Sequence, residues 1–409
     1  MLNVAVFATL LWALLGHSLP QKETIGIVKC DSLQGADAGA KLAACFAVLP
    51  ASGGTADARG LTGEQRITND VFAGVTKPGK LLLGKTQYEL TGRLACSNVP
   101  SNWTVEGAAD YMTVFTGSGN CKAFSNRIVM TTGFNIVFSH FKVEGKNALG
   151  ESCLAMLNGA HDITVHGLWT DKCGQFGILI GDTAQTGGFR DIQIINNIVT
   201  DVGEPTSETN IGIEVFPKGP SGFLAPGLVV RHNRVTGKAG MKVTCGIKMN
   251  AADRPIIDDN SVDLREILVT DASGGGICVV TSDGATITNN RVLGAKNGIA
   301  ISGQIDPRNG LRNHNVTVER NYLAGQTQNG IYSAEGFEGL TIASNTLKQE
   351  GGKATRGIFL QSRSESYGEA KITDNEISSY VVALDIDSPG AKPDVARNKT
   401  SGKVVVKEK

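Results

Sequence analysis

The sequence predicts an all-β chain wound into a right-handed parallel β-helix, a solenoid closed at its N-terminal end by one capping α-helix. Three observations predict it. An Asn-x-apolar element recurs at Asn197, Asn233, Asn260, Asn290, Asn321, Asn345 and Asn375, with spacings of 36, 27, 30, 31, 24 and 30 residues. A Gly-Ile element alternates with it, at Gly177, Gly212, Gly246, Gly276, Gly298, Gly330 and Gly357. The runs between them, such as ATITNNRV and NVTVERNYL, alternate apolar and polar residues and are rich in β-branched side chains. A repeat of about thirty residues holding short strands and no helix stacks coil on coil, with parallel strands about 4.8 Å apart.

In chain order, the first element is a leader. Val4 to Leu15 is an apolar core of signal-peptide length, with Gly16 and Ser18 at the −3 and −1 positions, so cleavage after Ser18 is expected. An N-terminal membrane anchor is the alternative reading. Residues 19–95 then form the cap and entry strands, and residues 96–409 the β-helix, one continuous domain with the cap. The cap helix is expected from about Ala38 to Leu49, with Asp37 as N-cap and Pro50 as its stop. Leu42, Cys45, Phe46 and Leu49 line one face of it, suited to covering the open end of a solenoid.

The repeat residues have structural readings. Asparagines stacked in register can bond along the axis as an amide ladder, and Asn tolerates left-handed or bridge backbone at a corner. In the earlier coils Phe141 and Gly167 take the ladder position. The glycine of each Gly-Ile marks the next corner, where φ is positive or backbones approach closely. Eight cysteines with no Cys-x-x-Cys argue for disulfides in a secreted chain. Cys30 with Cys45, Cys96 with Cys121 and Cys153 with Cys173 are the expected pairs, and Cys245 and Cys278 are read as buried thiols. Sequons stand at Asn102, Asn315 and Asn398.

Composition limits the partners. Lys plus Arg total 39 and Asp plus Glu total 39, with no basic block, so the footprint of a nucleic-acid binder is missing. No segment after the leader is apolar enough to span a membrane. The expected product is a secreted or periplasmic monomer.

The cap helix, the Gly53-Gly54-Thr55 segment that follows it, the GKTQYEL entry strand at Gly84 to Leu90 and the Asn/Gly-Ile coils together resemble the pectate-lyase-like superfamily. The resemblance covers nearly all of the mature chain. It implies a protein that acts on or binds a long polysaccharide, with its site on the outer face of one sheet and the turns beside it. In members similar to polygalacturonases, catalytic acids lie on the strand equivalent to Gly-Ile-x-apolar. The outward column of that strand here is Leu179, Glu214, Lys248, Cys278, Ala300, Tyr332 and Phe359. The turns beyond it add Asp182, Lys218, Arg254, Asp283, Asp306, Arg308 and Glu335.

From these, Glu214, Lys248 and Asp306 are the expected catalytic residues, and Arg254, Asp283, Arg308 and Tyr332 the expected substrate contacts. The expected reaction is β-elimination on a uronate-containing polysaccharide, with Lys248 as base and its proton affinity lowered by Arg254. A glycoside hydrolase using two carboxylates, Glu214 with Asp182 or Asp283, and a non-catalytic carbohydrate-binding or surface module are the alternatives. The bland reading of Glu214 and Lys248 is an exposed cross-strand ion pair. Mannuronan epimerases carry Asp-Pro-His on a comparable turn; Ile305 to Asn309 reads IDPRN and lacks the histidine. The polygalacturonase signatures Asn-Thr-Asp, Gly-His-Gly and Arg-Ile-Lys are absent too. Asp258-Asp259 reads as an acidic variant of the Asn-Asn corner. No cofactor is called for, although groove carboxylates leave room for a calcium ion.

Overall fold

The computed structural model describes residues 26–407 apart from 92–96, 118–126, 182–187, 207–209, 217–223, 270–273, 303–312, 335–336, 352–354, 362–368 and 388–392. The leader, Cys96, Cys121, Asp182, Lys218, Asp306, Arg308 and Glu335 lie outside the described residues. Three parallel sheets run the length of a right-handed β-helix. Sheet A has 14 strands, from Gly26–Lys29 to Asp394–Ala396. Sheet B has 13, from Gly63–Ile67 to Lys399–Thr400, and sheet C has 12, from Ser97–Val99 to Lys403–Lys407. Each coil contributes one strand to each sheet in the order A, B, C, so three strands per coil begin at Ser97. Alternation sends Ile192, Ile194, Val199, Ile213 and Val215 into one shared core, and the later coils repeat this as far as Leu384 and Ile386.

The asparagine ladder forms at the corner between sheets A and B. Nδ2 of Asn197, Asn233, Asn260, Asn290, Asn321 and Asn345 each donates to Oδ1 of the next ladder residue at 2.9–3.0 Å. The column runs one step further than the repeat suggested, since Asn375 donates to Asn398 at 2.9 Å. Two details differ from expectation. The left-handed residue is the one before the ladder, as at Asn196 (φ 56), His232 (φ 55) and Asp259 (φ 50). The ladder residue itself must be free to aim its amide along the axis. Its equivalents in earlier coils are Phe141 and Leu168, because Lys142 pairs with Trp169 and Trp169 with Ile198; Gly167 fills the left-handed slot at φ 60. Asp258 and Asp259 are structural, as expected. Asp258 holds Arg231 and Thr288, and Asp259 holds His232.

The Gly-Ile glycines are needed for close approach and not for positive φ. A Cβ on Gly246 would lie 2.5 Å from Val262 Cγ1 and 2.8 Å from the Gly276 carbonyl oxygen. Gly246 and Ile247 therefore both face the core, and strict alternation breaks there. That break overturns the reading of Cys245 and Cys278 as thiols. It turns Cys245 to the outer side of sheet C, where Cys278 lies one coil on, and the two form a disulfide. Cys30–Cys45 and Cys153–Cys173 are bonded as expected.

The cap helix α1 runs Ala38–Ala47, two residues shorter than expected. Asp37 is its N-cap, accepting from the Ala40 amide at 2.8 Å. Leu42, Phe46 and Leu49 are buried. Phe46 stacks on Phe72 with centroids 4.8 Å apart and meets Trp103 edge-on at 4.9 Å. The apolar end of the solenoid is thus closed by aromatic rings under a helix. Among the described residues no helix is long and apolar enough to cross a membrane.

Candidate functional site

The outer column of sheet C has the register expected: Leu179, Glu214, Lys248, Cys278, Ala300, Tyr332 and Phe359 pair in sequence on successive coils. Glu214 and Lys248 are brought together, with Lys248 Nζ 3.2 Å from Glu214 Oε1. The pair is not the exposed one expected. Glu214 is 6% exposed, and the Lys248 side chain is 24% exposed. Lys248 Nζ also lies 5.7 Å from the centre of the Phe216 ring. Much of this face is covered: Leu179, Cys278 and Ala300 are buried, and Cys278, Cys245, Ile211 and Ala300 form an apolar cluster separate from the main core.

Further along the face, Tyr332 stacks on Phe359 with ring centroids 5.7 Å apart at 30°. Arg356 lies over the other ring, its Cζ 4.1 Å from the Phe359 centroid, and its Nε is 2.6 Å from Asp385 Oδ2. Lys248 and Tyr332 are three coils apart, about 14 Å at the usual strand spacing. Sequence reading missed Arg356 and Asp385. Asp385 sits on a strand where Ala383-Leu384 stands in place of Gly-Ile, in register with Phe359. Recognising that substitution extends the column by one coil.

The turn leading from sheet C to sheet A carries a second column. Asp253, Asp283 and His314 are in backbone register on successive coils. Asp253 and Asp283 each follow the Gly-Ile glycine by seven residues, a signal the sequence contains; the longer turn before His314 hides it there. Arg254 does not join Lys248. It sits in a left-handed conformation (φ 47), with its Nε 3.2 Å from Asp253 Oδ1. Asp283 accepts from Asn315 Nδ2 at 3.3 Å. Among the described residues, no three His, Cys, Asp or Glu side chains gather as a metal site would need.

Such an arrangement offers a buried-carboxylate-held ammonium, an aromatic pair with a guanidinium, and a turn bearing two carboxylates and an imidazole. The surrounding fold is a right-handed parallel β-helix. Residues 243–377 match the family model for a right handed beta helix region. No curated protein sequence matches the chain. In structure it is similar to the Dettilon tailspike protein, with a TM-score of 0.53 and 16% identity over 81% of this chain and 63% of the tailspike. It is similar to the Streptococcus pneumoniae surface protein and adhesin PfbA, with a TM-score of 0.53 and 11% identity over 94% of this chain and 100% of the other. A mannuronan C-5 epimerase A-module from Azotobacter vinelandii gives a TM-score of 0.49 and 13% identity over 93% of this chain and 100% of the other. At these identities the likeness shows the fold alone.

Proposed function

We propose that the protein is secreted, binds a uronate-containing polysaccharide along the outer face of sheet C, and cleaves it by β-elimination. The observation that carries this reading is the column itself, which sets the Lys248 ammonium and the Tyr332–Phe359 rings about 14 Å apart on one strand face. Rings of that kind take the apolar face of a sugar, and cations take its carboxylate.

Elimination needs a base for the proton α to the carboxylate, a cation for the charge that develops on that carboxylate, and a proton for the departing glycosidic oxygen. Lys248 donates to Glu214, so its role is shifted from base to cation. The base then falls to the turn, where His314 lies two coils beyond Asp253, about 10 Å along the axis, so that it acts on a uronate next to the one Lys248 holds. The C–H electron pair becomes the new C=C bond as the glycosidic C–O bond breaks, and the departing oxygen takes the proton that His314 has accepted. A hydrolase pair on this column is disfavoured by distance. Its carboxylates, Glu214 and Asp385, are six coils apart, about 29 Å, whereas hydrolases place theirs within about 10 Å.

The stacked rings also favour a second reading, a module that binds the glycan without cleaving it. Incubation with a panel of polyuronates separates the cases. New reducing ends with ultraviolet absorbance of an unsaturated uronate support the lyase. Reducing ends alone mean a hydrolase, and binding without either means a module. Unchanged turnover in both His314→Gln and Lys248→Met would remove this site from the reaction.

A further inference from the structure

We propose that the outer face of sheet B, from Trp169 to Tyr322, is a second glycan-binding surface that holds an extended acidic polysaccharide along the solenoid axis. Six residues in register form it: Trp169, Ile198, Arg234, Ser261, Arg291 and Tyr322, on successive coils. The stretch spans five coil steps, about 24 Å, the length of several sugar units.

The charges on this face are unbalanced in one direction. Its carboxylates are already neutralised: Lys142 Nζ lies 2.9 Å from Glu144 and 2.8 Å from Asp171. Lys172 holds Glu144 at 2.6 Å and Arg265 holds Asp263 at 2.6 Å. Arg234 and Arg291 are exposed and have no ion pair within 4 Å among the described residues; Arg291 acts on Asp263 only across space. They are two coils apart, about 10 Å, on a straight column. Two guanidiniums at that spacing, each a planar two-donor fork, suit carboxylates repeating along an extended chain.

The rings at either end are held in place. Trp169 Nε1 donates to Thr200 Oγ1 at 2.6 Å, and that hydroxyl donates to Asp171 Oδ1 at 2.7 Å. Lys142 Nζ lies 4.1 Å from the Trp169 ring centre, and Arg291 Cζ lies 4.8 Å from that of Tyr322. A partly exposed ring fixed by part-buried bonds, as Trp169 is, is preorganised for a sugar and loses little entropy on binding. Two unpaired cations are too few to hold a nucleic acid, whose binding needs many phosphate contacts.

The surface stands independently of catalysis on sheet C. Native gels cast with polygalacturonate or alginate, run with the full chain at low and moderate salt, test it. The wild type should be retarded, most at low salt, and a carboxyl-reduced glycan should not retard it. Arg234→Ser with Arg291→Ser should weaken retardation at least about tenfold with unchanged thermal unfolding, and Arg234→Gln alone should weaken it in part. Retardation of the double variant equal to wild type overturns the proposal. So does displacement by single-stranded DNA at equal charge concentration, which would make the face a general polyanion surface. Cleavage of a short oligosaccharide should be kept by the double variant and lost in Lys248→Met, which separates failure of this surface from failure of the sheet C site.

Discussion

The ladder asparagine is the most demanding residue of the repeat. Asn290 donates Nδ2 to Asn321 Oδ1 and to the Ile257 carbonyl, and its Oδ1 accepts from the backbone and side chain of Asn260. No other side chain of that size carries two N–H donors together with a carbonyl acceptor. Asn290→Ala strips four buried bonds and leaves their partners unpaired, so a loss of about 3 kcal/mol is expected in denaturant unfolding. A change under about 0.5 kcal/mol would mean the column contributes no stability. Glu214 and Lys248 behave differently from an exposed pair. Lys248→Ala removes a cation beside a buried carboxylate and should cost about 3 kcal/mol, while Glu214→Leu with Lys248→Met should recover most of it. If Lys248→Ala unfolds like wild type, the pair is energetically silent and a loss of turnover in that variant is purely chemical.

At the scale of elements, the cap helix and the Gly-Ile strand set the ends and the face. The helix contributes through a few large side chains, and Phe46 touches both Phe72 and Trp103. Phe46→Asp buries a carboxylate among rings, and a drop of about 4 kcal/mol is expected. Thermal unfolding unchanged in that variant would show that the helix does not seal the core. The Gly-Ile strand was legible in its order and outward column, because period two and a recurrent Gly need no knowledge of neighbours. Its break in alternation at Gly246 was not legible. It arises from Val262, which belongs to another sheet and crowds the glycine from across the core.

For the whole molecule, acid is the informative perturbation. The Arg59 guanidinium, which shares Asp57 Oδ2 with Lys29, holds the buried Asp57 carboxyl well below its ordinary 3.8. A depressed carboxyl contributes stability that is present above 3.8 and lost as pH falls toward the folded value. Burial pushes Glu151 the other way, so its cost appears as pH rises past 4.5. The melting temperature should therefore fall between about pH 4 and pH 2, and Asp57→Asn should flatten that limb while lowering stability at neutral pH. A variant with the same acid slope as wild type would assign acid sensitivity to other carboxylates. The sequence by itself determined the coil order, the ladder, the capping helix and which residues share the sheet C column. All of these follow from local periodicity, since a strand's alternation and a corner residue repeat wherever the coil repeats. Only the tertiary structure decided that Glu214 is buried, that Cys245 meets Cys278, that Arg254 turns to Asp253 and that His314 stands behind Asp283. Each depends on which side chain lies across a sheet or one coil away, and turns of uneven length between coils erase that distance from the sequence.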